Sequence, residues 1–196
     1  MKLVLASQSA SRRAMLSAAG VPHEAIAAPV DEAGVKAAMA GASPRDLADT
    51  LAELKALKGS ALRPDALVVG SDSIVVLADG RLLDKPESRE EAAEHLNVMS
   101  GTMITLLSAA VAAEQGHAVW RHVAEARLTV RALSPRFIAA YLDAEWPAIA
   151  GCVGCFRIEG PGVQLFAEVK GDHFTILGMP LLPLLDYCRT RGVLPS

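Results

Sequence analysis

An α/β fold, with a mixed twisted sheet flanked by helices, is what this sequence predicts, and three features carry the expectation. Short apolar runs suited to strands alternate with capped, helix-like stretches along the whole chain. The run from Asp65 to Leu77 is apolar enough to be a central strand covered on both faces. The Asp-Gly pair in Ala78-Asp79-Gly80-Arg81 signals a hairpin, which makes the sheet mixed.

The elements follow in order. Lys2 to Ala6 is a short buried strand, and the polar turn Ser7-Gln8-Ser9-Ala10-Ser11 leads into a helix over Arg12 to Ala19 that Gly20 stops. Val21 to Val30 reads as extended and ends at Asp31-Glu32. Ser43-Pro44-Arg45-Asp46 supplies an N-cap with proline in the first turn, and a helix runs to about Lys58 with Leu47, Leu51, Leu54 and Lys58 on one face. After the hairpin at 78–81 and the strand Leu82-Leu83, Ser88 caps a helix from Arg89 to Met99, with Glu91 completing a capping box and Ser100-Gly101 ending it. Thr102 to Ala113 and His117 to Val130 are strands joined by Glu114-Gln115-Gly116, and Ser134-Pro135 opens a helix to about Asp143. Val163 to Val169 and Phe174 to Ile176 resemble strands, and Pro180 to Arg191 a last helix.

Bulk properties set the boundaries. With 196 residues, 52% hydrophobic and 21% charged, the chain is expected to form a single domain over residues 1–196 with a core that needs no disulfide. Three cysteines, Cys152, Cys155 and Cys188, and an apolar start that passes at once into a polar turn predict a reducing, cytoplasmic setting. No apolar run approaches the roughly 20 residues of a membrane span. A formal charge of -3 argues against a nucleic-acid polymer as partner and for a small anion held by a few placed cations.

Asp72 is the strongest local oddity, a carboxylate between two apolar strand halves. Either Gly70 and Ser71 bend the strand so that Asp72 faces water, or Asp72 is a buried metal ligand or general base, because a buried charge needs a partner. The turn Ser7 to Ser11 at a helix start offers free N–H groups and a positive dipole end to phosphate, and Arg12 and Arg13 add charge there. Lys85, before the stiffening Pro86, and Lys55 are further cations; judged singly, each of these four cations reads more readily as a solvated surface group, and Glu32 has a plain alternative as a solvated turn residue. The pair Cys152 and Cys155 forms a CxxC but lacks the second pair that a zinc site wants, so a core or loop role is expected. Neither a G-x-S-x-G elbow, a Rossmann fingerprint nor a Walker loop is present.

Together these segments resemble the Maf family of septum formation inhibitor-like nucleotide pyrophosphatases, along nearly the whole chain. The family's L-A-S-x-S-P opening followed by arginines is similar to Leu5-Ala6-Ser7-Gln8-Ser9-Ala10-Ser11-Arg12-Arg13, with Ala10 in place of proline. Its acidic turn looks like Val30-Asp31-Glu32, its helix lysine like Lys55, its G-x-D-T-[IV]-V strand like Gly70-Ser71-Asp72-Ser73-Ile74-Val75, and its lysine-proline turn like Lys85-Pro86. The resemblance implies a Maf/ITPase-like fold, often homodimeric, with a cleft for a nucleoside triphosphate and a divalent cation, Mg²⁺, Mn²⁺ or Co²⁺. Asp72 would then activate water and, with Glu32, place the metal. Ser7, Ser9, Arg12, Arg13, Lys55 and Lys85 would bind the substrate, and cleavage between the α and β phosphates would yield a nucleoside monophosphate and pyrophosphate.

The sequence also departs from the family pattern. Ile104 stands where many members have histidine. In Gly151-Cys152-Val153-Gly154-Cys155-Phe156-Arg157-Ile158-Glu159-Gly160 the usual lysine is Cys152 and the usual glutamine Glu159. The F-x-x-E-G form looks more like the branch acting on 7-methyl-GTP than the one acting on dTTP and UTP, although Ser11 replaces an aromatic residue of that branch. Ser11, Ser73 and Glu159 are therefore the candidates for base preference. The family's association with septum formation keeps a second expectation open, a nucleotide-binding regulator of cell division that acts without turnover.

Overall fold

A computed structural model describes residues 2–195. Its strands are β1 (Lys2–Ala6), β2 (Glu24–Ala25), β3 (Ala66–Val76), β4 (Leu82–Leu83), β5 (Met103–Glu114), β6 (His117–Val130) and β7 (Phe166–Lys170). Its helices are α1 (Ala10–Ala18), α2 (Glu32–Ala38), α3 (Pro44–Leu62), α4 (Arg89–Met99), α5 (Pro135–Glu145), α6 (His173–Leu177) and α7 (Leu181–Thr190), with a 3-10 turn at Pro161–Leu165. The strands form one seven-stranded sheet in the order β2-β1-β3-β5-β6-β7, with β4 pairing β3 off that path. Pairing of β1 with β2 and with β3 is parallel, whereas β3 with β4 and β6 with β7 are antiparallel, so the sheet is mixed as expected.

Most elements form for the reasons visible in their sequences. Ser43, Ser88 and Ser134 each accept the N–H three residues on, from Asp46, Glu91 and Phe137 respectively, and so satisfy donors that a helix start leaves free. The link between β5 and β6 turns on Gln115 and Gly116, both in the left-handed region at φ 49° and 80°, as a tight hairpin requires.

Several local expectations need correction. Only Glu24–Ala25 of the stretch 21–30 pairs as strand. Glu32 opens a helix instead of ending a turn, because Asp31 accepts the Gly34 N–H at 3.0 Å and caps it. Glu91 accepts the N–H of Glu87, not that of Ser88, so the cap is one residue offset from a capping box. A 3-10 turn replaces the first part of the expected strand at 163–169. Phe174 to Ile176 is helical, since Asp172 accepts from the Thr175 N–H at 2.9 Å and from its hydroxyl at 3.2 Å, a local cap that outweighs β propensity.

The chain divides into two compact units, Met1–Ser73 with Ser108–Ala124 and Gly178–Ser196, and Ile74–Leu107 with Glu125–Leu177. In the first, Val4, Ala6, Ala28, Ala66 and Val68 form a small-residue core with Ile26 beside it. The buried face of α3 runs through Leu47, Ala48, Leu51, Ala52, Ala56, Gly59 and Ser60, which leaves Leu54 and Lys58 off it, contrary to the sequence reading. In the second unit α4 and α5 bury Leu96, Met99, Ile138 and Leu142 against strand residues Ile104, Leu106 and Leu128, and Phe156 meets Phe166 edge to face at 4.9 Å.

Two glycines decide how near α3 lies to the sheet. A Cβ at Gly59 would come within 2.7 Å of Val68 Cγ1, and one at Gly70 would overlap the backbone of Ala52 and Ala56. Backbone cannot swing aside as a flexible side chain can, so Gly70→Ala is expected to push α3 off β3 and lower stability by about 2–3 kcal/mol. For a chain of this size that is a fall in Tm of roughly 5–10 °C. Thermal unfolding followed by circular dichroism checks it, and an unchanged Tm would mean that α3 is not held at contact distance.

Candidate active site

The first unit holds Arg12, Arg13, Glu32, Lys55 and Asp72, together with the serine turn at the N-terminal end of α1. Ser9 is the N-cap: its hydroxyl accepts the Arg12 N–H at 3.4 Å and lies 3.1 Å from the Ser11 hydroxyl, while its own N–H donates to Ser7 Oγ at 3.2 Å. The serines thus organise the turn as well as line it. Arg13 is exposed, as a residue offered to solvent or to an anionic ligand would be.

Arg12 turns inward instead. Its Nε donates to the Gly178 carbonyl at 2.8 Å, Nη1 to the Ser71 carbonyl at 2.9 Å and more weakly to Ser7 Oγ at 3.4 Å, and Nη2 to Ser73 Oγ at 2.9 Å. Burial pulls the guanidinium pKa down, and the nearby carboxylates of Asp72 and Glu32 oppose that shift.

Asp72 settles the alternative left open by its spacing. β3 runs unbroken from Ala66 to Val76, and Asp72 is only 8% exposed within it, so the strand does not bend to hand the carboxylate to water. The partner that a buried charge requires is Lys55, whose Nζ lies 2.5 Å from Asp72 Oδ1 and 2.6 Å from Glu32 Oε1. α3 delivers this ammonium from the residue just before Ala56, the point where the helix backbone touches Gly70, so the close approach of α3 to β3 also places Lys55 over Asp72. Asp31, by starting α2, places Glu32 beside the same ammonium.

The donor chemistry fits a divalent cation of the magnesium kind. Such an ion takes one or two carboxylates and completes its octahedron with water and substrate phosphate oxygens; Glu32 and Asp72, which share the Lys55 ammonium, are the carboxylates that could hold it. Among the described residues no group of three or more His, Cys, Asp or Glu forms an all-protein cage, which that mode of binding does not need.

The second unit holds the remaining candidates. Lys85 is exposed in the turn after β4, and Glu159 is exposed. Burial raises the Cys152 thiol pKa and Glu159 adds to the rise, while Arg157 and Lys85 lower it, so these side chains act on one another within the unit. Cys155 is fully buried in the left-handed region at φ 58°, its sulfur 3.4 Å from His95 Nδ1, and burial pushes its thiol up to about 12. A thiol so held is not a nucleophile at neutral pH.

Sequence reasoning missed several residues. Glu145, 3% exposed, takes a two-pronged bond from Arg157, Nε to Oε2 and Nη2 to Oε1, both at 2.9 Å, and so ties the end of α5 to the Cys152–Glu159 segment. Ser71, Ser108 and the Gly178 carbonyl join Arg12 and Ser73 in one network. None has a local motif that would announce it, since each pairing spans 12 or more positions of chain.

A buried aspartate, a lysine shared between two carboxylates and a hydroxyl-rich helix start, set in an α/β fold, are the equipment of a phosphate-handling protein. The chain belongs to the Maf family, whose description, Maf-like protein, matches residues 2–191. It is 51% identical over 198 residues to a nucleoside triphosphate pyrophosphatase of Sphingopyxis alaskensis, covering 100% of both chains. It is 48% identical to one of Ruegeria pomeroyi, covering 99% of this chain and 98% of that one. A solved nucleoside-triphosphatase / dITP/XTP pyrophosphatase of Mycobacterium abscessus, 16% identical with a TM-score of 0.44 and covering 100% of this chain and 98% of that one, is too distant to bear on fold or chemistry.

Proposed function

We infer that this chain is a nucleoside triphosphate pyrophosphatase that splits the α–β phosphoanhydride to a nucleoside monophosphate and pyrophosphate. The observation that carries the reading is the Glu32–Lys55–Asp72 cluster, in which a buried carboxylate is held beside its own cation in the unit that also contains the Ser7–Ser11 turn. Asp72 accepts a proton from water, the water oxygen bonds to the α phosphorus, and the bond from that phosphorus to the bridging oxygen breaks as pyrophosphate leaves. Lys55, Arg12 and Arg13, with the N–H groups and hydroxyls of the turn, offset phosphate charge. Glu32 and Asp72 would hold a divalent cation, which would supply further charge neutralisation on the phosphates.

By the family resemblance Lys85 is a phosphate contact, and Glu159, a pure acceptor when ionised, favours bases that present amino or imino donors. The F-x-x-E-G segment supports a purine of the 7-methyl-GTP kind over dTTP or UTP. A cytoplasmic homodimer accords with the family resemblance, and no helix of the described residues is long and apolar enough to cross a membrane.

The test is pyrophosphate release from a panel of canonical and modified nucleoside triphosphates with Mg²⁺, Mn²⁺ or Co²⁺ and with chelator. Release is expected with metal and to fall at least 100-fold without it, since the Lewis acid supplies several kcal/mol of charge stabilisation. Folded protein that binds nucleotides but releases nothing would put the division regulator in place of the enzyme.

A further inference from the structure

We propose that Ser73 is a positioning residue: with Ser108 and the Gly178 carbonyl it locks the Arg12 guanidinium in place, and it does not read the base. This rests on the reading above, in which Arg12 belongs to the substrate site.

The hydrogen-bond account of the Ser73 hydroxyl closes. Ser73 Oγ donates its one proton to Gly178 O at 3.1 Å and accepts from Arg12 Nη2 at 2.9 Å. Ser108 Oγ, 2.9 Å away, is a third partner of the same hydroxyl. A hydroxyl held by three protein partners is committed to the protein and not to a nucleobase.

The Arg12 guanidinium is almost as fully engaged. Four of its five N–H bonds have directions set by Gly178 O, Ser71 O, Ser7 Oγ and Ser73 Oγ, so the guanidinium plane is clamped on three sides and presents a fixed positive charge in place of a flexible fork. Gly178 O is the hub, taking Arg12 Nε at 2.8 Å, Ser71 Oγ at 3.1 Å and Ser73 Oγ at 3.1 Å. Gly178 itself sits at φ +110°, and a Cβ there would come 3.3 Å from Ser73 Oγ and 3.5 Å from Arg12 Nε, so the carbonyl reaches this position because the residue is glycine. The network draws residues of β3, β5, α1 and the link between α6 and α7 onto one arginine, all of them within a single compact unit. Clamping of this kind removes rotamer freedom that a mobile arginine would lose on meeting each substrate.

The experiment is steady-state kinetics of pyrophosphate release on three nucleoside triphosphates of different base, for wild type, Ser73→Ala, Ser73→Thr, Arg12→Lys and the Arg12→Lys/Ser73→Ala pair. Ser73→Ala is expected to raise KM about tenfold, equally for every base, because a hydrogen bond to a charged group is lost and the affected contact is to phosphate. Ser73→Thr, which keeps the hydroxyl, should recover most of the loss. In the Arg12→Lys background, Ser73→Ala should change KM by less than about twofold, because two residues acting through one another are not additive. A tenfold effect that persists in that background, a shift that reorders the bases, or no shift at all would overturn the proposal. If Ser73→Ala folds poorly, Ser108→Ala replaces it, with a smaller, base-independent rise of about threefold expected and no rise counting against the proposal. No change in KM for Arg12→Lys would overturn it by another route, removing Arg12 from the substrate site while leaving the Asp72 reading to its own test.

Discussion

Asp72→Asn is expected to lower kcat for pyrophosphate release by about 10³-fold, within the 10² to 10⁴ range that a positioned general base contributes, with KM changed only a few-fold. The substitution keeps the shape of the side chain and one acceptor oxygen for the Lys55 ammonium, which now stands 2.5 Å from the carboxylate. The buried cation is therefore not abandoned, and the fold should survive. What disappears is the ability to take a proton from water. A loss confined to kcat marks an interaction used in the transition state more than in ground-state binding. Single-turnover and steady-state rates on the best substrate of the panel, beside a thermal melt, decide the matter. A variant with near wild-type kcat would mean that another group accepts the proton, and Glu32, the second carboxylate on Lys55, would be the first to substitute.

The second large effect concerns Lys55. Lys55→Met retains the length and apolar stem of the side chain but removes the ammonium that two carboxylates share. Asp72, with 11% of its side chain exposed, would be left as an unpaired buried charge facing a second one. Breaking a fully buried pair costs about 3–5 kcal/mol, and because the Glu32 side chain is 36% exposed and stays solvated, the lower part of that range, about 3 kcal/mol, is expected here. Activity should fall too, by roughly 10²–10³ in kcat/KM, as for removal of one preorganised donor from a site where charge develops. Denaturant titration and kinetics on the same preparation test both halves. An unaltered midpoint would show that solvent already screens the cluster, and unaltered kinetics would take Lys55 out of the substrate site.

Legibility in the sequence followed the range of the interaction concerned. Helices α3, α4 and α5 were readable because serine caps, early prolines and the terminating Ser100-Gly101 act within a turn of themselves. β3 and the β5–β6 hairpin were readable from apolar runs and a turn of fixed chemistry. Short elements were not: α2 and α6 each rest on one aspartate cap, at Asp31 and Asp172, too slight a signal to override the apolar character of the residues around them. In the site, Asp72 stood out because a carboxylate in an apolar strand demands a partner, and Arg12, Lys55 and Glu32 were found at motif positions.

What the sequence determined by itself, then, is the α/β class, the capped helices and the set of charged residues that must find one another. Which partners they find was decided by tertiary structure. Gly70 admits α3 to contact distance and so gives Asp72 the Lys55 ammonium; the Gly178 carbonyl, 166 residues from Arg12, turns that arginine inward; and Glu145 claims Arg157. The physical reason is that caps and turns are satisfied by neighbours in the chain, whereas a buried charge is satisfied by whatever the packing of distant elements brings within about 3 Å of it.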